Sequence, residues 1–121
     1  MSQKNKLIVE VQTNSNQNTP SYVSVNKNEL KALFLSFSNM LHVWRSLSNV
    51  PISGIIIDSS PSFTLLDSDE RPFDDKEMGN WDLVNPRVYE HDMNLVWVHD
   101  DGTEFFISVD RDSVFSDELD Q

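Results

Sequence analysis

Carboxylates are the chemically active groups that this sequence supplies in excess. Seven acids lie between residues 67 and 85, and three more lie between residues 100 and 104. Carboxylates can transfer protons, ligate hard cations or contact cationic protein surfaces. The candidate site residues are these acids and the tryptophan among them: Asp67, Asp69, Glu70, Asp74, Asp75, Glu77, Trp81, Asp82, Asp100, Asp101 and Glu104.

The acidic run that begins at Asp67 resembles an EF-hand calcium loop in its first positions. Such a loop requires glycine at its sixth position and glutamate at its twelfth. The sequence has Pro72 and Met78 there. A dedicated calcium site is therefore not predicted.

The histidines do not form a recognisable metal-binding motif. His91 and His99 each have acidic neighbours, but a separation of eight residues along one strand places them roughly 26 Å apart. His42 lies beside the apolar stripe of a predicted helix, where a boundary residue is expected. The chain has no cysteine, which excludes thiolate ligands and disulfides. We predict no metal and no cofactor.

Motifs for catalysis are absent from the sequence. It contains no G-x-S-x-G elbow, and its three glycines leave no phosphate loop or dinucleotide fingerprint. Carboxylate pairs arise by chance among so many acids, so they do not indicate glycoside hydrolysis. We predict a non-enzyme, with a small enzyme of unknown class as the alternative.

The charge is distributed unevenly along the chain. Residues 1–57 hold five basic and two acidic residues, whereas residues 58–121 hold four basic and eighteen acidic ones. A negative field of this strength repels nucleic acid and anionic lipid and attracts basic proteins. We therefore predict a basic protein partner, with no direct nucleic acid and no membrane. The alternative is that the acids only keep the protein in solution.

One long helix is the clearest element in the sequence. Asn26 is a suitable N-cap, and Glu29 three positions later resembles a capping box. The predicted helix runs from Lys27 to Ser48. Its apolar residues recur every three or four positions, which predicts either a core face or, in part, a partner-binding face: Leu30, Leu33, Phe34, Phe37, Met40, Leu41, Trp44 and Leu47.

Strands are predicted on both sides of this helix. The first pair is 7–11 and 21–25, and the second is 54–58 and 62–66, joined by a turn at Pro61. Residues 67–85 are predicted to form a long surface loop with a helical turn near 75–78. The last pair is 94–99 and 103–109, joined at Asp100-Asp101-Gly102. The pattern predicts one α+β domain over residues 1–121, with an antiparallel or mixed sheet of five to six strands and the helix on one face.

Two segments have alternative interpretations. Trp81 either folds back onto the core or is an exposed anchor ringed by charge, as interface hot spots often are. The acidic tail, residues 110–121, offers Val114, Phe115 and Leu119 as docking points. The N-terminal residues 1–6 are polar and no apolar signal follows them, so a cytoplasmic location is expected.

In size, acidity, lack of cysteine and α+β pattern, the chain resembles small bacterial immunity proteins, which neutralise cationic nuclease toxins. The resemblance covers overall character and the segments 67–82 and 100–104, without a family motif that would assign residue roles. It implies that these two segments occlude the active site of a basic toxin. The alternatives are a DNA mimic, whose acids would be spaced along an elongated surface, and an interaction module in which the charge only aids solubility.

Overall fold

The computed structural model describes residues 5–13, 20–58, 60–74 and 79–115. The predicted α+β class is confirmed: the strands are antiparallel and one main helix packs against them. The strands form two sheets, one of three strands and one of five, where the sequence predicts one sheet of five to six strands.

The three-stranded sheet has the order β1-β3-β5. Its strands are β1 (Lys6–Glu10), β3 (Tyr22–Asn26) and β5 (Phe63–Leu66). The predicted pairing of the first two strands is confirmed, with Leu7 opposite Val25. The short β2 (Gln12–Thr13) follows β1 after Val11 and joins the other sheet instead. The N-terminal segment therefore connects both sheets.

The helix α1 (Lys27–Leu47) agrees closely with the prediction. Asn26 caps it, because its side chain accepts a hydrogen bond from the Glu29 amide at 3.2 Å. The Glu29 carboxylate does not close the expected capping box, since it accepts from the Ser62 amide at 2.9 Å. Glu29 thereby fixes the start of the helix to the segment entering β5.

The five-stranded sheet has the order β2-β8-β7-β6-β4, and every pairing in it is antiparallel. The strand β7 lies at the centre of this sheet, as suits a strand with apolar residues on both faces. Besides β2, this sheet contains β4 (Gly54–Ile56), β6 (Trp81–Tyr89), β7 (Asp92–His99) and β8 (Glu104–Asp110).

The predicted hairpin between β4 and β5 is wrong. Ile55 of β4 lies opposite Val88 of β6, whereas β5 pairs with β3. The Ile57 amide extends the pairing of β4 with β6 by donating a hydrogen bond to the Pro86 carbonyl at 3.2 Å. Each short strand therefore pairs with a strand distant in sequence, which local turn signals around Pro61 cannot indicate.

The predicted loop 67–85 is wrong over its last five residues, because β6 begins at Trp81. The β6–β7 register shifts between Val84 and Arg87, and Asn85 has a φ of 47°. This bulge and the following Pro86 interrupt the period of two in the sequence. The helical turn predicted near 75–78 lies outside the described residues.

A single core lies between α1 and the inner faces of both sheets. It includes α2 (Arg111–Phe115), whose Val114 is fully buried. Phe115 packs against Phe34 of α1, with ring centroids 6.3 Å apart. Val114 and Phe115, two of the predicted docking points, thus pack the start of the acidic tail against the core. The third, Leu119, lies outside the described residues. Among these residues no helix has the length and apolarity needed to cross a membrane.

Candidate functional site

The predicted turn at Asp100-Asp101-Gly102 joins β7 to β8. The His99 amide donates to the Thr103 carbonyl at 2.8 Å, and the Gly102 amide donates to the His99 carbonyl at 2.9 Å. Gly102 has a φ of 91°, a conformation that glycine adopts without strain. These bonds fix the backbone of the turn, on which the side chains of Asp100 and Asp101 are exposed.

Asp101 is held in its ionised form by its own turn. Its carboxylate accepts a hydrogen bond from the Thr103 amide at 2.8 Å, and its Oδ1 lies 3.1 Å from His99 Nδ1. The Thr103 amide first, then the Thr103 hydroxyl and His99, lower the pKa of Asp101 below its ordinary value. The Asp101 side chain is 64% exposed, so its charge is available to a partner.

The segment that enters β6 is tied to this turn. Asn80 Nδ2 donates to Asp100 Oδ2 at 3.1 Å. Next to it, Gly79 has a φ of 65°, and a Cβ there would overlap the imidazole of His99. Trp81 lies edge-on to His99 and to Phe105, at centroid distances of 4.9 Å in both cases. Trp81 is therefore half-buried against the core, where it supports the turn from beneath.

The opposite side of the sheet carries two of the predicted acids in one row. Asp82 of β6 lies opposite Val98 of β7, which lies opposite Glu104 of β8. Directly opposed residues of neighbouring strands point to the same face, and strands lie about 4.8 Å apart. Asp82 and Glu104 therefore flank Val98 at roughly 10 Å from each other.

The next row along the same face is apolar. Val84, Val96 and Phe106 lie opposite one another, and Phe106 keeps 40% of its surface exposed. We call these two rows, together with the turn carboxylates, the tip face. Its members are Asp82, Val84, Val96, Val98, Asp100, Asp101, Glu104 and Phe106.

A groove borders the tip face along β6. Because β4 pairs only with the second half of β6, no described strand pairs with the outer edge of residues 81–85. The resulting groove has a volume of about 500 Å³, and its walls include Asp58, Asp82 and Trp81. Two carboxylates beside a half-buried indole provide charge and apolar contact for a long cationic side chain.

The described cationic side chains make few contacts with the carboxylates of this region. Among the described residues, no lysine or arginine forms an ion pair with Asp58, Asp82, Asp100 or Asp101. Asp101 has a described contact with a histidine, His99, at 3.1 Å. A cationic partner would meet these four carboxylates without displacing an ion pair to a described lysine or arginine.

Four other predicted site residues, Asp67, Asp69, Glu70 and Asp74, follow β5 of the three-stranded sheet. Asp67 accepts hydrogen bonds from the amides of Asp69 and Arg71 at 2.9 and 3.0 Å, so its carboxylate stabilises a turn. Glu70 borders a depression on the outer surface of that sheet. Asp74 is exposed, whereas the predicted residues Asp75 and Glu77 lie outside the described residues.

A second group of acids lies at the opposite end of the five-stranded sheet. Asp92 of β7 lies opposite Asp110 of β8, and Glu90 approaches Arg45 of α1 at 3.9 Å. His91 is at this end and His99 at the other, as their spacing predicts. No described cluster of three or more histidine or acidic side chains has the geometry to hold a metal.

Sequence reasoning missed one member of the tip face and one wall of the groove. Phe106 is an exposed aromatic of the kind that one of the two interpretations of Trp81 described, and the alternation of β8 could have identified it, because Phe105 and Phe106 must face opposite sides. Asp58 follows a short apolar strand, but only its long-range pairing places it beside Asp82. Comparisons with protein-family models, with curated proteins and with solved structures find no match to this chain.

Proposed function

We propose that the protein is a non-catalytic inhibitor that binds a basic protein through the tip face, in the manner of an immunity protein that occludes a toxin's active site. The single observation that carries the proposal is the arrangement of an exposed phenylalanine and three valines beside the exposed carboxylates of Asp82, Asp100 and Asp101. Such a surface combines apolar contact with electrostatic attraction.

The two parts of this surface act at different stages of binding. The carboxylates draw a cationic partner toward the tip face and orient it, which raises the association rate. Phe106 and the valines then lose contact with water, which slows dissociation. Because the strands hold all these side chains, little conformational entropy is lost when the complex forms.

The groove supports the choice of a basic partner. A lysine or arginine that enters it would place its alkyl chain against Trp81 and its charge between Asp58 and Asp82. Active sites of nucleases and other phosphate-binding enzymes are rich in such cationic side chains. Occupying them would block the substrate both sterically and electrostatically.

The DNA-mimic alternative receives less support. A mimic requires carboxylates spaced along an extended surface, as phosphates are spaced along DNA. The acids of the five-stranded sheet fall instead into a group at the tip and a group at the far end, where Arg45 lies beside Glu90. A partner with one shaped cationic surface fits this distribution better.

The proposal is tested with the product of the gene directly beside this one, since an inhibitor and its target are expected to be encoded together. The neighbour is expressed alone, with this protein, and with a variant that carries Asp82→Lys and Phe106→Ser. We expect the wild type to restore growth or block the neighbour's activity, and the variant to fail.

A matched control tests whether the position of the substituted acid matters, and not only the change in net charge. The variant Asp110→Lys with Ser108→Ala changes one acid and one neutral side chain at the other end of β8, both exposed. It should protect as well as the wild type does. Full protection by the tip-face variant, or a neighbour that the wild type neither binds nor inhibits, would refute the proposal.

A further inference from the structure

The second half of α1 presents an apolar stripe to solvent. Leu47 is 80% exposed, Met40 50%, Val43 47% and Trp44 39%. Of the predicted apolar face, Leu30, Phe34, Phe37 and Leu41 are buried in the core, whereas Met40, Trp44 and Leu47 are exposed. At 100° per residue, these four exposed side chains lie within an arc of about 100°, which is the width of a helix-packing face.

Val50 extends this stripe beyond the helix. The Trp44 indole donates to the Val50 carbonyl, and the Val50 side chain is 62% exposed. We call Met40, Val43, Trp44, Leu47 and Val50 the helix stripe. It lies away from the tip face, because Arg45 of the same helix end contacts Glu90, at the far end of β6 from Trp81.

The helix stripe carries no charge. No acid occurs between Glu29 and Asp58, whereas the whole chain has a net charge of −11. A basic protein would find no carboxylate on the stripe to contact. Two copies of the chain repel one another through most of their surfaces, and the stripe is where they can approach with the least repulsion.

The area of the stripe suits a weak contact between identical helices. Its five side chains expose on the order of 500 Å² per copy, near the largest apolar patch expected on a monomer. Two copies would bury on the order of 1,000 Å², which is the low end for specific interfaces. An isologous two-fold contact places the same patch against itself, so an uncharged stripe is self-complementary.

We propose that the protein forms a reversible homodimer through the helix stripe, with the α1 helices of the two copies in contact. The dimer leaves both tip faces exposed, because the stripe occupies the other end of the molecule. It neither requires nor excludes the proposed inhibitory function.

Sedimentation equilibrium of the whole protein tests this proposal over a concentration range from about 1 µM to about 1 mM, which spans weak association. The test variant is Val43→Glu with Leu47→Glu. The control is Leu35→Glu, since Leu35 is 54% exposed on the same helix but points about 130° away from the stripe. Circular dichroism verifies that all three proteins are folded.

We expect the wild type and Leu35→Glu to dimerise at the upper concentrations, and the stripe variant to associate at least tenfold more weakly. Added salt should strengthen the dimer, because it screens repulsion between copies. A wild type that stays monomeric throughout, or equal weakening by Leu35→Glu, would overturn the proposal. Binding of an unrelated macromolecule by a monomer through the same residues would also overturn it.

Discussion

Asn80 donates a hydrogen bond to Asp100 at 3.1 Å and so connects the start of β6 to the turn between β7 and β8. Twenty residues separate the two in the sequence. Their contact joins the two acidic segments that the sequence singles out, at the point where each enters the sheet. The acids brought together are Asp82, Asp100, Asp101 and Glu104, whereas Asp67, Asp69 and Glu70 lie in the turn that follows β5 of the other sheet.

The close approach of Gly79 to His99 gives a stability prediction. Gly79→Ala should destabilise the protein by about 1–3 kcal/mol, because alanine is strained at positive φ and its methyl group would displace His99. Gly102→Ala should cost less, since Gly102 has a positive φ but no atom near the added methyl group. Urea unfolding of both variants measures the difference, and equal losses would contradict the packing of His99 against Gly79.

The hydrogen bonds of Asp101 give a pH prediction. Because the Thr103 amide and hydroxyl lower the pKa of Asp101, this carboxyl should titrate below its ordinary value of 3.8. When folding lowers the pKa of a carboxyl, its ionisation stabilises the folded protein at pH values above the unfolded-state pKa. That stabilisation is lost as the pH falls through the folded-state pKa. Thr103→Val removes the hydroxyl but keeps the amide, so it should raise the pKa of Asp101 only part of the way. Carboxyl NMR titration measures both proteins, and an ordinary value in the wild type would disprove the turn geometry.

Two phenylalanines, Phe34 in the core and Phe106 on the tip face, give a second stability prediction. Phe34 of α1 is fully buried and contacts Phe115, so Phe34→Ala should destabilise by about 3–5 kcal/mol. Phe106→Ala should cost roughly 1 kcal/mol, because Phe106 lies on the tip face and is already partly hydrated. Thermal and urea unfolding should rank the variants in this order. A larger loss for Phe106→Ala would place that ring in the core instead of on the binding surface.

Much of the fold follows from local signals in the sequence. Asn26 and the apolar period located α1, and Asp100-Asp101-Gly102 located the last hairpin, because caps and tight turns depend on residues within a few positions. The pairing of β4 with β6 and the bulge at Asn85 could not be predicted in this way, since they depend on contacts distant in the sequence. For the same reason the sequence identified the acids of the tip face but neither Asp58 nor Phe106.

The helix α1 shows what apolar periodicity in a sequence cannot predict. Its apolar positions recur in the sequence from Leu30 to Leu47, but Leu41 is the last of them that the core buries. Periodicity reports which side of a helix is apolar, and it does not report how far a neighbouring sheet extends. The exposed remainder is therefore visible only in the structure.

The affinity for the neighbouring gene's product, measured against salt concentration, tests the central claim most directly. Three proteins are compared by calorimetry: the wild type, Asp82→Lys with Asp100→Lys, and Asp110→Lys with Asp112→Lys, whose net charge changes equally. We predict that wild-type affinity falls steeply as salt rises, that the tip-face pair weakens binding at least about tenfold, and that the far-end pair changes it by less than about threefold. Affinity that is indifferent to salt, or equal weakening by both pairs, would contradict binding through the tip face.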